Sequence, residues 1–403
     1  MSRAVFINVS AAGHVIPTFG LVQELIERGE EVIYFEETKF KQEIEAFGAS
    51  FCPFPQIKSF DTVPKSYNEL SVVPALTWFA EELLPSLLED VRAQKPDYII
   101  HDSLSLVGKL VAHLLNVPAV NSISTAAFCP RNFYESPQIQ ERVGKLLSGT
   151  TINEQFHHYK QKLQQAYSIP PIDFIEPFTN PEPLNICYLP PELQPDIEKF
   201  DSSFRFVGPC SLTRKMQCDF SFEELKQDKL ILISFGTVHD PGLEFYRWCI
   251  EAFKDIDAQV LMLIANSTNV EQLENIPANF IIKPTGTIPQ LEVLKRTNLF
   301  VMHGAAGGTR EAVCHGVPTI AIPQTYEQEL ISHRLVEHGA GVMILPKDVN
   351  PGLLHQTAKK ILNDNSFRRN STKLGDACDA AGGAKLAVDE ILKYVRTKAV
   401  SQV

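Results

Sequence analysis

Short apolar runs alternate with amphipathic segments along the first half of the chain. The apolar runs are four to six residues long and typical of buried strands, while the segments between them repeat their leucines and valines at helical spacing. The predicted strands are Ala4 to Val9, Glu31 to Phe35, Asp97 to Ile100 and the unit beginning at Val117 to Val120, with helices over Pro17 to Arg28 and Leu104 to Val111. This order predicts a parallel sheet with helices on both faces.

The alternation starts again in the second half of the chain. Apolar runs occur at Leu230 to Thr237, Gln259 to Ile264, Phe280 to Ile282, Leu299 to Met302 and Thr319 to Ile322. The pattern therefore predicts an α/β protein with an N-terminal domain over residues 1–208, a polar linker over 209–229 and a second α/β domain over 230–383. Residues 384–403 form a final helix, predicted to cross back toward the first domain. Ligands of such sheets bind beyond the carboxyl ends of the strands, which predicts a ligand in a cleft between the halves.

Residues 130–170 interrupt the pattern with several aromatic side chains among polar ones. We predict a helical insertion with an apolar face. Two interpretations stay open: a covering lid without a ligand role, and a wall for an apolar substrate.

Composition narrows the class of protein. The 403 residues are 44% hydrophobic and 21% charged, which is ordinary for a globular protein of about two domains. The net charge of -11 argues against nucleic-acid binding, because no basic field would attract phosphates. The eight cysteines are scattered without a C-x-x-C pair, so no metal motif is visible. Neither a signal peptide nor a membrane-spanning run is found, which predicts a cytoplasmic location without membrane insertion.

His14 and Asp102 are the candidate catalytic residues. Each follows a predicted strand, and strands of one parallel sheet end at the same edge, so the two side chains can meet. Histidine titrates near neutrality and suits a general base, while a carboxylate would fix its tautomer. The alternative is that both residues only cap helices.

The segment from His303 to Glu311 is a glycine-rich turn between a predicted strand and a helix. Glycines allow close approach to the backbone, and the N–H groups of a helix N-terminus favour a phosphate. An ordinary strand-to-helix turn is the alternative. Neither opening strand is followed by G-x-G-x-x-G, and no Walker A pattern occurs, which argues against a dinucleotide oxidoreductase.

Together these motifs resemble the bacterial macrolide and flavonoid glycosyltransferase family, one branch of the nucleotide-sugar-dependent glycosyltransferases. The resemblance covers essentially the whole chain. It rests on the segments 13–18, 95–102, 206–209, 234–237, 288–294, 303–304, 316–318 and 323–328.

The resemblance implies a GT-B fold, in which two Rossmann-like domains with parallel sheets face each other across a cleft. It places the acceptor in the N-terminal domain and the nucleotide sugar in the C-terminal domain. His14 would be the general base and Asp102 its support, giving inversion without a metal or a cofactor besides the nucleotide sugar. UDP-glucose is the expected donor and an apolar small molecule the expected acceptor. The implied donor-binding residues are Ser234, Gly236, Thr237, Thr287, Ile288, Gln290, His303, Gly304, Gly307, Gly308, Thr309, Glu311, Glu327 and Gln328.

Two departures from the family pattern bear on the donor. The family commonly has Gly, Asn and Ser where this chain has Ala305, Gly307 and Gly308, which removes a hydroxyl from the phosphate turn. The position of Thr287 is often aromatic in the family, so another nucleotide, such as a TDP-sugar, is the alternative to UDP-glucose. A non-catalytic nucleotide-sugar or small-molecule binder is the second hypothesis, and a sugar-nucleotide epimerase the third. The acceptor pocket is expected from Phe54 to Trp78 and Phe128 to Phe178, in a monomer or homodimer.

Overall fold

The chain folds into two compact units, seen in a computed structural model that describes residues 2–56, 72–128, 140–141, 144, 150–210, 220–236 and 239–401. The N-terminal unit comprises residues 1–191, 196–211 and 382–403, and the C-terminal unit comprises residues 192–195 and 212–381. Each unit contains its own parallel sheet.

The N-terminal unit is built on a seven-stranded sheet in the order β3-β2-β1-β4-β5-β6-β7. The strands are β1 (Arg3–Ile7), β2 (Glu31–Glu36), β3 (Ser50–Pro53), β4 (Tyr98–Asp102), β5 (Ala119–Ile123), β6 (Asn185–Cys187) and β7 (Phe204–Phe206). The helices are α1 (Ala12–Val15), α2 (Phe19–Glu27), α3 (Lys41–Ala46), α4 (Val73–Gln94), α5 (Leu106–Leu115), α6 (Thr150–Ala166), α7 (Glu176–Thr179) and, at the end of the chain, Gly383–Ser401.

Burial on both faces explains why the central strands β1, β2 and β4 are largely apolar. In β1, Ala4 and Phe6 pack with α2 and the final helix, where Leu25 and Ile391 are fully buried. Ile7, on the opposite face, lies against α5 at Gly108, whose missing side chain leaves room for the strand. A strand covered on both faces has no polar side until it ends.

The final helix belongs to the N-terminal unit. It packs along α2, and its N-terminal residue Gly383 donates its backbone N–H to the carbonyl of Val207 at 2.7 Å. Ion pairs from Arg28 to Asp389 and from Arg205 to Glu390 border the buried contact.

The C-terminal unit has a six-stranded parallel sheet in the order β10-β9-β8-β11-β12-β13. The strands are β8 (Leu230–Ser234), β9 (Gln259–Ile264), β10 (Phe280–Pro284), β11 (Leu299–Met302), β12 (Thr319–Ala321) and β13 (Gly341–Met343). The helices are α8 (Leu243–Phe253), α9 (Gln290–Leu294), α10 (Ala306–Cys314), α11 (Tyr326–Glu337), α12 (Pro351–Asn363) and α13 (Asn365–Ala380), so the final helix of the chain is α14.

The sequence prediction of two parallel α/β sheets is confirmed. The strands that it missed share one property, their short length. It missed β3, β6, β7 and β13, which have three or four residues and lie toward the sheet edges. A run that short carries too few residues to show a period. The first strand ends at Ile7 rather than the predicted Val9, because the chain turns there toward α1. Of the predicted insertion, α6 is described, while residues 129–139, 142–143 and 145–149 lie outside the described residues.

None of the helices in the described part of the chain combines the length and apolar character that a membrane crossing requires.

Close packing of α10 against α13 depends on Gly375. A Cβ atom at this position would overlap the carbonyl oxygen of Val313 and lie 3.3 Å from the Cα of Cys314. Both neighbours are backbone atoms of α10, so neither can move aside without shifting the helix.

We expect Gly375→Ala to lower the free energy of unfolding by about 1–3 kcal/mol, because the added methyl group forces the two helices apart. Urea denaturation measures the change. Gly352→Ala is the matched control, since a Cβ there meets only Asn350 at 3.4 Å, and alanine is the better helix former. An unchanged unfolding free energy in Gly375→Ala would contradict the tight packing.

Candidate active site

His14 and Asp102 are hydrogen-bonded in the N-terminal unit. His14 follows β1 in the short helix α1, and Asp102 is the last residue of the neighbouring strand β4. The Nδ1 atom of His14 lies 2.9 Å from Oδ2 of Asp102. The carboxylate side chain is fully buried, whereas the imidazole remains 14% exposed. The structure therefore brings together the two residues predicted to meet.

Ser124 is a third member of this group that the sequence prediction missed. It follows β5, the next strand after β4 in the sheet, and its Oγ atom lies 2.9 Å from Nδ1 of His14. The signal available in the sequence was a polar residue directly after a buried strand, as for Asp102. Side chains at the ends of β4 and β5 therefore contact the same nitrogen of His14, which follows the neighbouring strand β1.

The carboxylate determines the tautomer of His14. An ionised carboxylate only accepts hydrogen bonds, so Nδ1 of His14 carries the proton that it shares with Asp102. The Nε2 atom is then the unprotonated, basic nitrogen. Asp102 also accepts the backbone N–H of Leu104 at 2.8 Å, so the alternative of a turn-capping carboxylate holds alongside the pairing with His14.

The turn that carries His14 is held by Asn8 and Ser10, which follow β1, and by side chains of β2. Asn8 donates to the carbonyl of His14 at 3.2 Å and to the hydroxyl of Tyr34 at 2.7 Å. The hydroxyl of Ser10 donates to Glu36, which is fully buried at the end of β2. Burial raises the pKa of the Glu36 carboxyl from its ordinary 4.5 to about 7. The support of the histidine turn therefore includes a carboxyl group that titrates near neutrality.

In the C-terminal unit, Gln290 and Glu311 form one polar pair. The amide Nε2 of Gln290, at the start of α9, donates to Oε2 of Glu311 in α10 at 2.6 Å. The family resemblance implies that Gln290 lies in the turn that contacts the nucleobase and that Glu311 holds the ribose hydroxyls. The structure places these two side chains in contact.

His303 lies beside the turn that follows β8. Gly236 in that turn has φ of +74°, and a Cβ atom there would lie 3.3 Å from the His303 ring, so both the conformation and the space favour glycine. Burial, with the charge of His239 as a smaller cause, lowers the pKa of His303 to about 3. His303 is therefore a neutral imidazole at neutral pH.

Gln328 is oriented by three contacts at the start of α11. Thr325 caps the helix by accepting the backbone N–H of Gln328. The side-chain Oε1 of Gln328 accepts the N–H of Gln324 at 2.8 Å, and its Nε2 lies 3.1 Å from Nε2 of His239. His239 was not predicted as a site residue, because nothing in the sequence distinguishes a histidine in a loop.

The remaining predicted donor residues differ in their surroundings. Ser234, Ile288 and Thr309 are buried, and the Thr309 hydroxyl has no hydrogen-bond partner among the described residues. Thr287 is exposed and donates to the carbonyl of Pro284 within its own turn. The other predicted residues are Gly304 after β11, Gly307 and Gly308 in the first turn of α10, and Glu327 in α11. Thr237 lies outside the described residues.

Within the described ranges, no group of three or more His, Cys, Asp or Glu side chains is arranged to hold a metal ion.

Each unit is a doubly wound parallel sheet with polar side chains at its strand ends, where ligands of such sheets bind. Residues 247–390 match the family model of the erythromycin biosynthesis protein CIII-like C-terminal domain. The chain is 35% identical over 401 residues to the NDP-glycosyltransferase YjiC of Bacillus subtilis, covering 98% of each protein. It is 26% identical to the demethyllactenocin mycarosyltransferase of Streptomyces fradiae, over 97% of this chain and 86% of that one. The chain belongs to the bacterial macrolide/flavonoid-type glycosyltransferase family.

Solved structures show the same fold. The glycotransferase of kitacinnamycin superposes with a TM-score of 0.84 at 24% identity, covering 98% of both chains. The calicheamicin glycosyltransferase CalG4 superposes with a TM-score of 0.73, also at 24% identity and 98% coverage of both chains. The predicted GT-B fold class and the predicted enzyme class, a glycosyltransferase of natural products, are confirmed.

Replacement of Glu36 by glutamine tests its raised pKa. Between about pH 4.5 and about pH 7 the unfolded chain loses the Glu36 proton while the folded protein keeps it, so wild-type stability falls as pH rises through this window. Glutamine cannot ionise, so we expect Glu36→Gln to gain roughly 2–3 kcal/mol relative to wild type between about pH 5 and about pH 8.

Urea denaturation at the two pH values measures this gain. Glu43→Gln is the matched control, because this glutamate is exposed and is not among the groups that shift the pKa of Glu36. Identical pH dependence in wild type and Glu36→Gln would contradict the buried, protonated carboxyl.

Proposed function

We propose that this glycosyltransferase is inverting and moves a sugar, with glucose from UDP-glucose as the first choice, to a hydroxyl of an apolar small molecule such as a macrolide, polyketide or flavonoid. His14 is the general base and Asp102 its supporting carboxylate. The observation that carries the proposal is the 2.9 Å contact between Nδ1 of His14 and Asp102, because it directs the basic Nε2 nitrogen away from the carboxylate.

In the proposed reaction, Nε2 of His14 accepts the proton of the acceptor hydroxyl as its oxygen attacks the anomeric carbon. The bond from that carbon to the diphosphate breaks, and the nucleoside diphosphate leaves with the electron pair. Attack opposite to the leaving group inverts the anomeric centre. Asp102 stabilises the imidazolium that forms, and the step needs no metal, because N–H groups of a helix N-terminus can stabilise the leaving diphosphate.

The donor assignment is supported by the contact between Gln290 and Glu311. A glutamate beside a nucleoside can accept both ribose hydroxyls, and a glutamine can bond the edge of a base. Glu327 and Gln328, at the start of α11, are proposed to bond the sugar hydroxyls. Loss of the usual serine at Gly308 weakens phosphate binding by roughly 1.5–3 kcal/mol if nothing replaces its hydrogen bond.

A TDP-sugar is the alternative donor. Its support is a structural neighbour, the spinosyn rhamnosyltransferase SpnG, which was solved with thymidine diphosphate. That neighbour is 15% identical to this chain, so it bears on the fold and leaves the choice between uracil and thymine to experiment.

An apolar acceptor is supported by aromatic pairs in or directly beside the two regions predicted to form its pocket, Phe79 following the first region by one residue. Phe54 and Phe79 meet edge to face with ring centroids 6.3 Å apart. Phe128 and Phe178 lie with centroids 5.5 Å apart, and all four rings are half-buried. Such rings present apolar surface that a polyketide or flavonoid can cover.

His14→Ala should lower kcat by roughly 10²- to 10⁴-fold, the usual contribution of a general base, while nucleotide affinity stays within about twofold of wild type because the base acts on the acceptor. Asp102→Asn should approach the same loss, because its amide group would donate to Nδ1 and force the wrong tautomer. Turnover assays with an apolar phenol or macrolide and UDP-glucose measure both effects.

Ser124→Ala is the control for these variants. It removes a contact to the same nitrogen but leaves Asp102 in place, so the expected loss is below about tenfold. Wild-type turnover in folded His14→Ala would overturn the proposed mechanism.

Nucleotide binding without a metal tests the donor assignment. In the presence of EDTA, UDP or UDP-glucose should raise the melting temperature, by an amount that corresponds to about 2.7 kcal/mol at a hundredfold excess over Kd. Glu311→Ala should abolish most of the shift, whereas Glu292→Ala, on the exposed side of α9, should retain it. If TDP alone raises the melting temperature, the TDP-sugar is favoured as the donor. If UDP, TDP and GDP all leave it unchanged, a non-catalytic binder is favoured.

A further inference from the structure

Two imidazole rings lie next to each other at the carboxyl ends of adjacent strands in the C-terminal unit. His303 follows β11, and His239 lies in the turn that follows β8. Their ring centroids are 5.5 Å apart, with the ring planes at 56°. The family resemblance places His303 and Thr309 near the diphosphate and gives no role to His239, so His239 is an addition from the structure.

The contacts of Gln328 define the state of His239. Because Oε1 of Gln328 accepts the N–H of Gln324, its amide nitrogen is the end that faces His239. That nitrogen donates to Nε2 of His239, which must be unprotonated in order to accept. A proton on this nitrogen would convert it into a donor and release the amide group of Gln328.

Both imidazoles are held in the neutral form by their surroundings. Burial lowers the pKa of His239. Burial followed by the charge of His239 lowers the pKa of His303 to about 3. The Nδ1 atom of His303 is buried and has no hydrogen-bond partner among the described residues. A buried polar atom without a partner is costly, and a ligand that bonds the ring relieves that cost.

The other ionisable groups on the elements around the pair are few. Asp240, next to His239, is held by Ser267 and Thr268. In α10, Glu311 accepts from Gln290 and Arg310 is buried. In α11, Glu327 and Glu329 precede and follow Gln328. Burial, rather than a fixed charge, is the largest cause of the lowered pKa of each histidine.

A diphosphate that binds beside these rings would favour the protonated form of an imidazole. It carries two negative charges when both phosphates are esterified, and an anion close to an imidazole stabilises the protonated ring. The N-terminus of α10, which begins at Ala306 beside His303, attracts the same anion. Repulsion between two imidazolium rings 5.5 Å apart limits the pair to one proton.

We propose that His239 and His303 together bind the diphosphate of the nucleotide sugar, and that the pair takes up a proton as the diphosphate binds. His239 gains a proton on Nε2. The resulting N–H donates a hydrogen bond to a phosphate oxygen, and the proton stays on the ring. The amide of Gln328, released from His239, turns to the sugar hydroxyls. The inference rests on the proposed donor site and adds to it a second histidine and a coupling between phosphate and sugar recognition.

Isothermal titration calorimetry with UDP-glucose and with TDP-glucose tests the coupling. Both phosphates of these ligands are esterified, so the ligand itself does not titrate near neutrality. Binding enthalpies in buffers of different ionisation enthalpy give the number of protons exchanged. We expect uptake of between about half a proton and one proton per nucleotide sugar near pH 7.

The affinity should follow the same linkage. Proton uptake means that binding weakens as pH rises, by up to about tenfold for each pH unit between the pKa of the free pair and that of the bound pair. We expect a higher affinity at about pH 6 than at about pH 8. Binding that is equally tight at both pH values, with enthalpies independent of the buffer, would overturn the proposal even before any variant is made.

His239→Gln keeps an acceptor for Gln328 but cannot be protonated. We expect it to bind the nucleotide sugar about tenfold more weakly at about pH 6 and to lose most of the pH dependence and proton uptake. His355→Gln is the matched control, since His355 is half-buried and bonded through Nδ1 to the carbonyl of Ala252. It should take up protons like wild type.

The outcomes separate this inference from the proposed function. Binding of a nucleotide sugar without proton uptake, or unchanged uptake in His239→Gln, overturns the histidine pair and leaves the donor site standing. Absence of binding of either nucleotide sugar at every pH overturns the donor assignment itself, and the inference with it.

Discussion

Burial of each sheet on both faces is the constraint from which the sites of this enzyme follow. A parallel strand covered by helices on both sides has few places for polar side chains along its length, so most of them lie where the strands end. In the N-terminal unit the ends of β1, β4 and β5 place His14, Asp102 and Ser124 together. The pair is built by the order of the strands rather than by any local sequence motif.

The two units use burial in opposite ways. In the N-terminal unit, the buried carboxylate of Asp102 is compensated by the ring N–H of His14 and the backbone N–H of Leu104, an arrangement that suits the proposed general base. In the C-terminal unit, burial holds His239 and His303 neutral. If this pair binds a diphosphate as proposed, the site gains its positive charge only with its ligand, which limits the cost of burying charge beforehand.

The altered phosphate turn is less damaging to donor binding than the missing serine suggests. α10 still begins at Ala306, so its first N–H groups and the helix dipole are retained. A Cβ atom at Gly308 would contact Met302 and Phe300 of the buried strand β11. In the proposed site, the ring of His239 can supply a hydrogen bond in place of the one lost with the family's serine, where this chain has Gly308.

The fold class and the candidate site residues could be predicted from the sequence alone. Alternating apolar runs and helical periods define two parallel sheets, and the motifs at His14, Asp102 and His303 carry the family resemblance. Only the tertiary structure decided which side chains touch. Ser124 is 110 residues from His14, and His239 is 89 from Gln328. Contacts over such separations depend on strand order and helix packing, which no local period encodes. The short edge strands escaped prediction because three or four residues are too few to show a period.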